Sequence, residues 1–368
     1  MTWRLTGWSS WREVWSAGCL SAWRELYATD PDANPFQHPD VVRAWAETAG
    51  AAAGAEPRVL LATHASGARV LLPAVVAPHR GRLVTRRILE AAGQSLFGYA
   101  GPLVANGANG TPLATADWTV FWERVRRETS ADCDQALLRA IAPGRAAGRF
   151  CEPASDASPV LELSALSDMD ELLARCAAKH RGDVRRQLRR LEEQGTVELW
   201  TAGEADATAA LEDFHARFVP AYQALWGEKS DGGLLVRPGI LPFLARLLGE
   251  GLAGGFVHYA ALRLSGEPIA WHLGLRQEGE LHWWFPTYAL AWQRFSPGKV
   301  LLAELLDHGL RTGLRRVHFL TGDQDYKLRW RPESRRLAVL RWPAPTLRGR
   351  LLALYDRRAA HPRAAAGA

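Results

Sequence analysis

Cysteine is scarce in this chain. Cys19, Cys133, Cys151 and Cys176 are the only four in 368 residues, and none shares a Cys-x-x-Cys spacing. That excludes a disulfide framework or a zinc ribbon as the organising device, and it fits a reducing, cytoplasmic compartment. Long hydrophobic runs are also missing. The longest, Val70 to Ala77 around Pro73, is far short of the roughly 20 residues that a membrane-spanning helix needs. The start, Met1-Thr2-Trp3-Arg4, continues through polar residues without the apolar core and cleavage site of a secretory signal, so export is not expected. Acid falls short of base, 39 Asp and Glu against 45 Lys and Arg, for a net charge of +6. Such a balance suits an anionic partner, whether nucleic acid, a membrane surface or a phosphorylated cofactor.

What is present is ordinary for a globular protein: 48% hydrophobic and 23% charged residues. A length of 368 residues favours two domains over one core. The chain also matches itself. Val59 to Ala74 and His258 to Leu273 each read as strand, Ser-Gly turn, strand, with turns at Ser66-Gly67 and Ser265-Gly266, an offset of 199. The same offset carries Pro39 onto Pro238, each opening a helical stretch, and Trp11 to Tyr27 onto the helix-like segment from Ala210 to Trp226. Downstream, each half shows a helix then a strand: Trp118 to Glu128 before Gln135 to Ile141, and Lys299 to Thr312 before Arg316 to Leu320. The reading is therefore a duplication of mixed α/β halves. The turn-forming run from Pro153 to Ser158 reads as the linker, which gives domains at 1–155 and 156–345 and a basic tail at 346–368. The last residues of that tail are expected to be disordered.

Three segments could carry chemistry. In the first, Trp284, Phe285 and Tyr288 close a strand, and Arg294-Phe295-Ser296-Pro297-Gly298-Lys299 leads into an apolar helix. Ser296 suits an N-cap, Pro297 the first helical position, and Gly298 lets a ligand approach the backbone. With Lys299 and Arg294 nearby, this helix start suits a pyrophosphate; the plainer reading is a capped helix with a solvated lysine. The first half has no such run between Gly110 and Trp118.

The second segment is a basic helix, Lys179-His180-Arg181 through Arg190, with Val184, Leu188 and Leu191 as its buried stripe. Arg181, Arg185 and Arg189 repel one another on another face, and cations so early oppose the helix dipole, which points to an anion-binding role. A solvated face pairing with Glu192 or Glu193 is the alternative. The third runs from Val317 to Trp330 and crowds polar groups at a strand end: Asp323 to accept a proton, Tyr326 to donate one, Lys327 to hold charge. A simple turn is the alternative there. His258, His272 and His282 fall on three consecutive predicted strands. Without a carboxylate or cysteine at ligand spacing they read as core or pocket histidines and not as a metal site, and His272 is a candidate pocket base.

Together the Lys-His-Arg, Ser-Pro-Gly-Lys and Gly-Asp-x-x-Tyr-Lys segments resemble the CelD-type GNAT acetyltransferases named for cellulose biosynthesis, which are similar to FemAB-like transferases. The resemblance covers most of the chain, including Pro35 to Trp45, and is weaker across 80–155. It implies tandem GNAT-like folds, each a mixed, mostly antiparallel sheet flanked by helices. It also implies an acyl donor, acetyl-CoA or another acyl-CoA, beside the strand that precedes the Ser-Pro-Gly-Lys helix, and direct acyl transfer to an amine with an acidic or tyrosine proton relay. The glycine-rich QxxGxG loop of simpler GNAT enzymes is missing, and Ser-Pro-Gly-Lys stands nearest to it. Two rivals stay open: an aminoacyl-tRNA-dependent transferase that holds tRNA on Lys179 to Arg190, and a non-catalytic adaptor in envelope polysaccharide assembly. Neither the acceptor nor the oligomeric state is written in the sequence.

Overall fold

The computed structural model describes residues 3–81, 84–227 and 233–360. It divides into two compact units, one formed by 1–155 and 336–368, the other by 156–335. Each is a mixed α/β fold.

The first unit contains β1 (Trp3–Trp8), α1 (Trp11–Val14), α2 (Ala17–Thr29), α3 (Pro39–Trp45), β2 (Glu56–Pro57), β3 (Val59–His64), β4 (Arg69–Leu72), β5 (Ala74–Arg80), β6 (Thr85–Ala91), β7 (Leu103–Ala105), α4 (Thr115–Glu128) and β8 (Gln135–Ile141). The expected hairpin is there, with Leu60 opposite Leu72, as is strand 135–141. Strands β1, β3, β4 and β7 form one sheet. Strand β6 lies between β5 and β8 and runs parallel to β8. Trp118, Phe121, Trp122 and Val125 of α4 fill the core, together with Trp3 and Trp342. Burying several aromatic side chains supplies most of the driving force here.

The chain leaves this unit through β9 (Cys151–Glu162). The run read as a linker is thus extended strand. Its composition favours turns, yet Val160 to Glu162 pair antiparallel with the strand at 316–318, and ladder pairing overrides local propensity.

The second unit continues with α5 (Met169–Arg175), α6 (Ala178–Glu192), β10 (Val197–Thr201), α7 (Ala207–Asp213), α8 (Val219–Trp226), α9 (Ile240–Ala253), β11 (Val257–Leu264), β12 (Glu267–Gln277), β13 (Glu280–Tyr288), α10 (Pro297–Arg311), β14 (Arg316–His318) and α11 (Asp325–Leu328). Its sheet order is β10-β11-β12-β13-β14-β9. Ser265 and Gly266 both have positive φ, 49° and 86°, which closes the β11–β12 hairpin tightly. Val184 and Leu191 of α6 and Val300, Leu301 and Leu305 of α10 pack on Leu262, Ala270, Trp283 and Val317 of the sheet. A buried carboxylate, Asp213 of α7, accepts from Tyr259 Oη and Trp271 Nε1, both at 2.8 Å.

At Arg336 the chain returns to the first unit. There β15 (Glu333–Pro343) pairs antiparallel with β8, and α12 (Leu347–Ala360) follows. The tail expected from 346 is therefore helical up to Ala360, and the last residues fall outside the described ones. Arg348 Nε bonds Asp134 Oδ1 at 2.7 Å, which anchors α12.

Candidate active site

A bulge in β13 shapes the site. Leu273 faces Phe285 and Leu275 faces His282, so Trp283 and Trp284 share the place opposite Gly274. A Cβ at Gly274 would lie 2.3 Å from the His282 carbonyl oxygen and 2.5 Å from His272 Cε1, so no other residue fits unshifted. The extra residue resets the alternation of side chains. Trp284 consequently meets Phe243 of α9 at 6.2 Å, and Phe285, buried, meets Tyr222 of α8 at 5.9 Å.

Next to the bulge a parallel strand pair opens. Strands β13 and β14 share three rungs, Glu280 with Arg316, Leu281 with Val317 and His282 with His318. Beyond them β13 follows β12 as far as Tyr288. The chain after β14 follows β9 instead, Phe319 N–H donating to Pro159 at 2.9 Å and Gly322 N–H to Ala157 at 3.0 Å. Two strands that begin together and then keep different neighbours leave a wedge between backbone edges. Polar side chains pin its closed end: Arg316 donates to Glu162 at 2.7 Å and to Glu280 at 2.8 Å, and His318 Nε2 lies 2.9 Å from Glu280.

The three segments singled out in the sequence converge beside this wedge. A Cβ on Gly298 would stand 3.4 Å from the Tyr288 ring, which sets the start of α10 against the end of β13. His180 of α6 stands edge-on to Trp330, with centroids 4.8 Å apart at 87°. Tyr326 of α11 lies on the same segment as Trp330, and desolvation of its hydroxyl raises its pKa.

Local contacts revise several expected roles. Ser296 is left-handed, φ 52° and ψ 52°, and makes no side-chain cap bond; its carbonyl instead accepts from Lys299 and Val300 N–H at 2.9 and 3.3 Å. Lys299 is no solvated cation but pairs with Asp183 of α6, and this pairing, with Arg186 assisting, holds the Asp183 carboxyl down to about 2. Arg294 and Arg190 both lie over the Phe295 ring, 4.7 and 5.1 Å from its centroid. Arg190 also donates to the Arg294 carbonyl at 3.3 Å, so α6 clamps the loop ahead of α10.

On α6 the buried face holds His180, Val184, Gln187 and Leu191, while Leu188 is only partly covered. Its polar neighbours take the interior because the start of the helix faces α10 and not the bare core. Lys179 is exposed, Arg181 half-buried with Nη1 3.4 Å from the Leu173 carbonyl, and exposed Arg185 pairs with Asp170 instead of Glu192 or Glu193. Asp323 is exposed at the strand end. Lys327 is buried and donates to the Thr321 and Gly322 carbonyls at 3.0 and 3.5 Å, so its charge holds the turn; desolvation lowers its pKa to about 8.

His272 is not a free base. It has no solvent exposure, its Nε2 accepts Trp284 N–H at 3.2 Å, and its Nδ1 lies 3.1 Å from His258 Nδ1. Both nitrogens are engaged, and the burial that lowers its pKa and that of His258 keeps the pair neutral. Sequence reasoning gave Asp183 and Trp330 no separate role, although each fixes one of the three segments. Thr287, buried at 2% with its hydroxyl unpartnered, was passed over as well. Only its place on the strand before Ser-Pro-Gly-Lys could have drawn notice.

Among the described residues no group of three or more His, Cys, Asp or Glu is placed to hold a metal ion, and no helix is long and apolar enough to cross a membrane. A cavity of about 450 Å³ lies at the opposite end of β13, lined in part by His258, Arg276 and His308.

Residues 178–328 match the acetyltransferase (GNAT) domain. That span runs from the first residue of α6 to the last of α11, so it encloses the wedge and all three segments. Solved structures share the fold over nearly the whole chain. FemX superposes with a TM-score of 0.57 at 10% identity, covering 91% of this chain and 98% of its own. The C-terminal DUF2156 domain of a putative lysylphosphatidylglycerol synthetase from Agrobacterium fabrum gives 0.55 at 12% identity, covering 92% and 95%. A conserved protein of unknown function from Bacteroides thetaiotaomicron gives 0.52 at 11%, covering 87% and 97%. No curated protein sequence matches the chain. At these identities the structural likeness is one of fold.

Proposed function

We propose that the protein is an acyl-CoA-dependent N-acyltransferase of the CelD-type kind, with its donor, acetyl-CoA or a longer acyl-CoA, in the wedge between β13 and β14. The observation that carries this reading is the parting of a parallel strand pair after three rungs, with the start of α10 set against the far end of β13. Facing backbone edges suit an extended, amide-bearing chain, and the Gly298 turn at the start of α10 suits the anionic end of the donor. Lys299 keeps that turn in place through Asp183 and lends the site positive potential. Tyr326 is the proton donor to the departing thiol; its raised pKa keeps the hydroxyl protonated at neutral pH. Asp323 and Tyr288 flank the acceptor, and Lys327 shapes the turn between them. The first unit serves as a scaffold without a donor site.

The test is a thermal shift with acetyl-CoA. Gly298→Asp puts a carboxylate at the helix start, where the space tolerates a Cβ, and it should abolish the stabilisation seen with the unaltered protein. Equal shifts in both proteins would remove the donor from this place.

A second reading is favoured by α6, whose Lys179, Arg185, Arg186 and Arg189 are all exposed. A phosphate backbone could lie along them, as an aminoacyl-tRNA donor requires. A salt-sensitive tRNA mobility shift, lost on reversing Arg185 and Arg189, would support it.

A further inference from the structure

We infer that His180 is the base that deprotonates the acceptor amine, a role that rests on the acyltransferase reading above. Its position and its unused hydrogen-bonding capacity make the case.

Three histidines of the sheet have ring nitrogens engaged in hydrogen bonds. His258 and His272 bond each other, His272 also accepts from Trp284, and His318 is held by Glu280. His180 differs: it is only 4% exposed, yet neither Nδ1 nor Nε2 has a partner. Leaving a buried polar group unsatisfied is costly, so such a group calls for an explanation. Ordinary packing does not require histidine here, because an aromatic hydrocarbon would meet the Trp330 ring equally well.

The surroundings explain what the ring is for. It stands where α6, α10 and α11 meet, and each contributes charge: Asp183 from α6, Lys299 from α10, Asp325 from α11 with Arg329 just beyond it. Those four groups already satisfy one another as two ion pairs, Asp183 with Lys299 and Asp325 with Arg329. The imidazole is left with a lone pair and no competitor for it. Burial, aided by the two cations, lowers its pKa, so it stands neutral at neutral pH. Trp330, which the ring meets, lies two residues beyond the end of α11, the helix that carries Tyr326. The Asp183–Lys299 pair ties the helix of His180 to the start of α10, so base and proton donor are both held next to the Ser-Pro-Gly-Lys turn.

The step balances. An ammonium acceptor gives one proton to an imidazole nitrogen of His180, and the freed nitrogen pair forms the new C–N bond at the thioester carbonyl. The C–S bond breaks with its electron pair on sulfur. The thiolate takes the Tyr326 proton, the tyrosine is restored by the second proton leaving the amine, and the third stays on the amide.

The experiment uses acetyl-CoA alone, following thiol release with water as the nucleophile and donor binding by thermal shift. His180→Gln should keep donor binding within about twofold, lower thiol release about 100-fold, and remove the acid limb that the unaltered protein shows below pH 6.5. Added imidazole should restore His180→Ala in proportion to its concentration, which a packing defect would not allow. Unchanged release with an unchanged limb overturns the assignment, and so does loss of donor binding without rescue. If the unaltered protein neither binds nor cleaves acetyl-CoA, the acyltransferase reading fails first and takes the base with it.

Discussion

Each unit contains a parallel strand pair joined through a helix, and the two gaps beyond those pairs have opposite fates. In the first unit β6 and β8 share Ile88 with Gln135 and Leu89 with Ala136. Past these rungs the Gln94 side chain closes the gap, donating to Leu137 at 2.8 Å and accepting from Arg139 N–H at 3.1 Å. The helix that follows opens with Asp117, whose carboxylate accepts Ala114 N–H at 2.9 Å and fills the place of any anion. Among the described residues of the second unit no side-chain hydrogen bond bridges the wedge, and α10 opens with Pro-Gly-Lys. One fold has thus been sealed with a glutamine and an aspartate where its counterpart is open. The first unit's seal is structural chemistry; the second unit's opening is what a donor would need.

Acid should separate the two most. His180, His258, His272 and His282 of the second unit all have lowered pKa values, chiefly through burial. The unfolded chain takes up these protons first, so stability is lost as pH falls below about 6.5, at about 1.4 kcal/mol per pH unit for each group. In the first unit the shifts oppose: His38 is lowered, while His79, raised by Glu90, adds stability below about 6.5 that is lost as pH rises through its own pKa. Hydrogen exchange at pH 7 and 5.5 should therefore show the second unit opening first; if 1–155 opens first, the contrast is wrong.

Gly274→Ala comes next. Its Cβ collides with backbone at the bulge, so we expect a loss of about 3 kcal/mol in urea unfolding, confined to the second unit, together with loss of acetyl-CoA binding. Gln94→Ala strips three backbone groups, Ala91 N–H, Arg139 N–H and the Leu137 carbonyl, of a partner and should cost about 1–2 kcal/mol without creating a second donor site. A doubled acetyl-CoA stoichiometry in calorimetry would show that the glutamine alone sealed the gap. The smallest effect belongs to Asp183→Asn, which leaves Lys299 with a neutral partner. Donor affinity should change less than threefold, and a larger gain would mean that Lys299 turns to the donor once released.

Much of the fold is legible because its elements are set locally. Strand 135–141 and the hairpin about Ser265-Gly266 follow from alternation and turn residues, and the start of α10 from Pro297. The site was legible as segments but not as contacts. Asp183 and Lys299 are 116 positions apart, and no periodicity announces such a pair. His272 looks like a base in a strand of aromatics; only the bulge at Trp283 and Trp284 shows that its lone pair is spent. The 153–158 run misleads because ladder bonds to a distant strand outweigh its turn-forming composition.

The return of β15 to β8 bears on how the protein is made. As the chain leaves the ribosome, the first unit waits for its final strand until residue 343 has emerged, whereas residues 156–335 form an uninterrupted stretch. Residues 156–335 are thus equipped to fold before the first unit is finished. Any ribosome stall between 336 and 343 would release a chain whose second unit is complete and whose first unit has an open sheet edge.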